Sequence, residues 1–125
     1  MASKLIGYLG ILALALSLTA GCGGEEDPGV LGTCPPNSQE QQDYGSFILF
    51  TTCTGCHSQN LEGDDRYGAP LGSDFDNIDL IKAQAEDIYL RSIDGTMPPP
   101  NTDPPMPGLN ENQLESLRAY LVCLP

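Results

Sequence analysis

The stretch Cys53-Thr54-Gly55-Cys56-His57 places two thiols three residues apart and an imidazole directly after the second. On a helical turn, thiols at that spacing share one face. Both can then bond the two vinyl groups along one haem edge, while the next side chain stands under the iron as an axial ligand. Two thioethers also retain a group that coordination alone would let go. Other chemistries fit the motif less well. A zinc ribbon needs a second close pair, and the remaining cysteines, Cys22, Cys34 and Cys123, are solitary. A thioredoxin-like dithiol needs a strand–helix–strand surround, and no strand-like alternation flanks this one.

His57 is the only histidine in the 125 residues. A haem held by two histidines of one chain is therefore excluded. A Ser-His-Asp or Cys-His nucleophilic site would compete for the same imidazole, and no second imidazole exists to act as the distal acid–base group of a peroxidase. What remains is iron bound by His57 and a thioether, or iron with one open position. Met97 and Met106 are the candidate thioethers, each followed by proline. A stiff proline-rich segment loses little entropy when its sulfur binds; soft core filler is the other use of such methionines.

The positioning elements follow from the rest of the chain. Lys4, an apolar run over residues 5–18 and Thr19-Ala20-Gly21-Cys22 form the pattern of an export signal. The run is shorter than the ~20 residues a membrane-spanning helix needs. Ala20-Gly21-Cys22 resembles the bacterial lipobox, with Thr19 where that pattern usually has leucine, so Cys22 is the expected lipid-bearing mature N-terminus. A soluble secreted form and an uncleaved anchor are the alternatives. Residues 1–21 are thus read as signal, 22–37 as lipidated cysteine and flexible tether, and 38–125 as one folded domain. The formal charge is −12, and loss of Lys4 by cleavage makes it −13. So few cations exclude nucleic acid as a partner. An acidic surface favours redox proteins with a basic docking patch, although acidity also serves plain solubility.

Within the domain, Ser38 and Gln41 predict a capping box opening a helix over residues 39–52, with Tyr44, Phe47, Ile48 and Phe50 as its apolar side. Gly45 lies mid-helix, where glycine costs about 1 kcal/mol against alanine, and a close helix crossing would account for it. A polar, Gly-rich loop follows His57. Asp76 or Asn77 is the expected cap of a second helical stretch carrying Ile78, Ile81, Ala85, Ile88 and Ser92, with a break near Ala83 and an end at Gly95. The proline-rich stretch 97–107 excludes helix and central strand. Asn110 and Gln113 predict a capping box, Leu109 and Leu114 a hydrophobic staple, and Leu114, Leu117 and Leu121 the buried stripe of the last helix. The expected fold class is all-α.

The haem motif, three helices and a Met-Pro loop together resemble the class I c-type cytochromes, over about residues 39–124. Gly45, eight residues before Cys53, resembles the glycine of that family's first helix, and Tyr120 in Leu117-Arg118-Ala119-Tyr120-Leu121 the tyrosine of its last. The resemblance implies that these helices cross, in a small fold of three main helices wrapped around one covalently bound haem c. It implies that Pro70 supplies the carbonyl that accepts the His57 Nδ1–H. It also implies that Met97, in Ile93-Asp94-Gly95-Thr96-Met97-Pro98, delivers the sixth ligand, with Met106 as the alternative.

With Cys53 and Cys56 given to haem and Cys22 to lipid, Cys34 and Cys123 are left for a disulfide in an oxidising compartment, or as unpaired or cross-linking thiols. The expected function is one-electron transfer by a membrane-tethered carrier rather than an enzyme. It is exported and lipid-anchored to a bacterial membrane facing the periplasm or cell exterior. A haem subunit docked to a larger oxidoreductase, and a five-coordinate gas sensor or weak peroxidase, are the alternatives.

Overall fold

A computed structural model describes residues 29–125; the export signal and the expected lipid site at Cys22 lie outside the described residues. The described chain forms four α-helices and no strand: α1, Gln39–Ile48; α2, Ile78–Ala83; α3, Ala85–Ile93; and α4, Glu111–Val122. No helix among the described residues is long and apolar enough to cross a membrane.

The pairing of α1 with α4 is the frame, and Gly45 sets it. A Cβ at Gly45 would overlap the Ser116 carbonyl oxygen and lie 2.6 Å from its carbon and 2.8 Å from the Tyr120 Cβ. The two backbones can come this close only where one residue has no side chain. That contact also fixes the rotational phase of α1. Residues three and four beyond Gly45 must face inward with it, so Ile48 and Leu49 are buried. The expected apolar side is corrected accordingly: Tyr44, Phe47 and Phe50 remain 44%, 60% and 44% exposed. Tyr44 and Phe47 stack on one another outside the core, with ring centroids 6.4 Å apart.

The helix beginnings divide. The Asn110 side chain accepts from the Gln113 N–H at 3.0 Å, and the Gln113 side chain accepts from the Asn110 N–H at 2.9 Å, a complete capping box. Asn77 rather than Asp76 caps α2, accepting from the amides of Asp79 and Leu80. The box expected at Ser38 does not form. The Ser38 hydroxyl donates instead to the Pro35 carbonyl at 2.7 Å and accepts from the Gln42 side chain at 2.9 Å. At its other end α1 widens into a π-helical turn, Leu49–Cys53. Thr51 within it and Thr54 just beyond it donate their hydroxyls to the carbonyls four residues back, which loads the backbone ladder where it opens.

Leu49, Ile81 and Leu117 are fully buried and join Phe75, Ala85, Ile88 and Leu121 in one core. Leu31 belongs to that core as well. The tether expected over residues 22–37 is therefore corrected for its described part, which is docked from residue 29 onward. Three independent contacts hold it: the buried Leu31 side chain, the Leu31 carbonyl accepting from Arg118 at 2.6 Å, and a Cys34–Cys123 disulfide to the end of α4. Its apolar content is too low to signal packing, because one leucine and one covalent bond do the work of a helix face.

Candidate haem centre

Two loops, the end of α1 and one side of α3 enclose a cleft with about 1040 Å³ of empty space, its open mouth included. Cys53, Cys56 and His57 line it on one side, and Met97, Pro98, Pro99 and Met106 on another. The order follows from local folding. The π-helical turn closes on Cys53, whose carbonyl accepts from the amides of Cys56 at 3.2 Å and His57 at 2.9 Å. This keeps the two thiols and the imidazole on one continued turn.

Both thiols are free and half-buried. The Cys53 thiol is pushed up to about 11, mainly by burial and further by the neighbouring Cys56. In the unreacted chain it is a neutral thiol at neutral pH. His57 is buried, and burial also draws its imidazole below the usual histidine range. The Ser73 hydrogen bond opposes this shift; the Arg66 charge adds to it and Asp74 counters it.

His57 Nδ1 lies 2.9 Å from the Ser73 carbonyl oxygen. A carbonyl can only accept, so Nδ1 carries the proton and Nε2 keeps the lone pair, the form in which imidazole ligates a metal. Phe75 stacks on the ring at a centroid distance of 4.5 Å and 14° between planes, and its amide donates to the His57 carbonyl at 2.8 Å. The ring is thus held at its edge and on one face.

This arrangement corrects the role expected of Pro70. Its carbonyl accepts from Arg66 Nη2 at 2.8 Å and makes no bond to the imidazole; the Ser73 carbonyl takes that place. The physical reason is Arg66 itself, a buried guanidinium that gathers the carbonyls of its own loop. Pro70 still lines the cleft. Both methionines are half-buried at the cleft. The Met97 amide donates to the Arg91 carbonyl at the end of α3, at 2.9 Å, and the Met106 amide to the Thr102 hydroxyl at 3.0 Å. Cys34 and Cys123 form their disulfide elsewhere, at the end of α4.

Arg66, Ser73, Asp74 and Phe75 are the site residues that sequence reasoning missed. The one available signal was Arg66, a single cation in a loop otherwise charged only by acids, which reads as a solvated face. Among the described residues no group of three or more His, Cys, Asp or Glu side chains is arranged to hold a metal ion. Two free thiols, an imidazole with a bare Nε2 and two thioethers around one cleft do fit haem c: the thiols for attachment, the imidazole and a sulfur for iron.

A family model described as cytochrome c matches residues 42–125. Neither the search of curated proteins nor that of solved structures returned a match. The match spans well over half of the chain and all four helices except the first turn of α1. The chain belongs to the cytochrome c family, whose members bind covalently attached haem c, typically one per domain, and act in haem-based electron transfer.

Proposed function

We propose that this cytochrome is a single-electron carrier in which Cys53 and Cys56 form the thioethers and His57 and Met97 clamp the iron. Lipid on Cys22 would anchor the mature chain to a bacterial membrane, facing the periplasm or the cell exterior. The observation that carries the redox reading is the His57 side of the cleft. Its Nδ1–H is given to a backbone carbonyl 2.9 Å away and its ring is stacked on Phe75. Such a bond fixes the tautomer and ring orientation and makes the other nitrogen a better ligand. Haem c supplies a one-electron iron couple when bound. Cys53 and Cys56 would hold it at the end of α1, and His57 would offer Nε2 to its iron.

Met97 is favoured as the sixth ligand because its amide is tied to the end of α3, with Pro98 and Pro99 stiffening the segment behind it. Met106 is the second reading, since it lines the same cleft. A redox protein with a basic patch fits the surface. Of the four cations among the described residues, Arg66, Arg91 and Arg118 are each in an ion pair with an acid. Association would then weaken with salt, as screening shortens the reach of exposed charge.

The test is spectroscopic. Haem that stays with the polypeptide through acid–acetone extraction reports the thioethers. Met97→Ala should abolish the iron–sulfur absorption band of the oxidised protein and open the reduced iron to carbon monoxide, while Met106→Ala keeps the band. The reverse pattern assigns Met106. A band that survives both substitutions, or is absent from the parent, refutes thioether ligation.

A further inference from the structure

We propose that Arg66 is the positioning residue for the axial imidazole, acting through the carbonyl of Ser73. The inference rests on His57 being the iron's axial ligand. Arg66 is 4% exposed, in a loop that contains no helix longer than a single 3-10 turn. Its guanidinium is used on every side. Nη1 donates to the Ser58 carbonyl at 2.6 Å, Nε to the Ala69 carbonyl at 3.1 Å, and Nη2 to the Pro70 carbonyl at 2.8 Å and the Asp74 carboxylate at 2.7 Å.

Those partners bracket the site. Ser58 directly follows His57, and Asp74 directly follows Ser73, so one planar cation ties the residue after the imidazole to the residue after the carbonyl that holds it. Desolvating a charge is costly unless it is fully paired. The closure observed is one in which all these acceptors converge on the guanidinium. In that closure the Pro70 carbonyl is occupied and the Ser73 carbonyl is left to meet Nδ1. A lysine could not substitute, because its ammonium is a compact point charge that lacks the planar fork these acceptors surround.

Arg66→Lys keeps the charge and removes that geometry. The measurement is hydrogen exchange at the His57 Nδ1–H, followed by NMR in the reduced holoprotein, with the Leu117 backbone amide in α4 as reference. The expected result is at least a tenfold faster Nδ1–H exchange with the Leu117 rate unchanged within threefold. An unchanged Nδ1–H rate, or two rates rising together, overturns the proposal, the second because it marks Arg66 as merely structural. Asp74→Asn removes the ion pair and leaves the carbonyl contacts available. Should Arg66→Lys not fold, Asp74→Asn decides alone: a selective rise of threefold or more supports the proposal, and anything less overturns it. Failure of the ligand assignment is visible separately, because His57→Ala would then retain the parent's low-spin spectrum.

Discussion

Gly45→Ala is the sharpest test of the frame that carries the haem site. In an ordinary helix interior the change is favourable by about 1 kcal/mol. Here the new Cβ would overlap the Ser116 carbonyl oxygen and lie 2.6 Å and 2.8 Å from the Ser116 carbon and the Tyr120 Cβ. Two of these three atoms are backbone, so no side-chain rotation relieves the contact and α4 must move bodily. Overpacking costs about 1–3 kcal/mol where side chains can adjust and occasionally more; with backbone as the obstacle the upper end applies. Setting about 3 against about 1 leaves a net loss of ~2 kcal/mol. For a domain of this size that lowers Tm by roughly 8–16 °C. Gly108 is the control, since a Cβ there meets nothing within 4 Å. Thermal unfolding of the oxidised holoprotein by circular dichroism reads both. A Gly45→Ala variant as stable as Gly108→Ala would refute the close crossing and, with it, the phase assigned to α1.

Two further outcomes follow from the structure. Replacing both Cys34 and Cys123 by serine removes a cross-link spanning 89 residues and should lower stability by up to about 4 kcal/mol; limited proteolysis should then cut first within residues 29–37, and equal resistance of parent and variant would count against the docked strap. The Asp76 carboxyl is held below its usual range chiefly by the Ser58 hydroxyl, 2.6 Å away, helped by the Gln59 amide. A depressed folded-state value stabilises above the ordinary carboxylate range and is lost as pH falls through the depressed one. Asp76→Asn should thus flatten the dependence of the urea midpoint on pH below about 4, and an unaltered slope would exclude Asp76 as a contributor.

Legibility in the sequence tracked how local the determining physics was. Asn110 with Gln113 is a four-residue signal, and the capping box is present as read. The Ser38–Gln41 pair has the same spacing, yet Pro35 lies three residues upstream with a carbonyl that takes the hydroxyl first. Gly45 announces a crossing, but the aromatic pattern of Tyr44, Phe47 and Phe50 points the other way on phase, and one backbone contact turns those three side chains out. Leu31 is a core residue without a periodic neighbour, and no pattern search finds a solitary leucine. At the site, the two thiols and the imidazole are written in one pentapeptide. The carbonyl that orients His57 is not, because a backbone oxygen has no residue type. Its choice depends on what Arg66 does with Pro70.

The break between α2 and α3 shows how the frame reaches both walls of the cleft. Gln84 ends α2, its amide donating to Leu80 and Ile81 carbonyls. Its side chain then leaves the helix and clamps the His57 loop, donating to the Gly72 carbonyl at 2.9 Å and accepting from the Ser73 hydroxyl at 3.0 Å. Residue 84 therefore holds the same serine whose carbonyl meets Nδ1. From there α3 runs to Ile93, and seven residues on, about 10 Å at 1.5 Å per residue, the Arg91 carbonyl receives the Met97 amide. One helix is thus tied at its start to the loop of His57 and near its end to Met97, and its Asp87, Ile88, Arg91 and Ser92 line the cleft between. Had α2 and α3 been continuous, residue 84 would lie within a helix, its side chain bound to the helix's direction. The interruption frees it to hold the loop that carries Ser73.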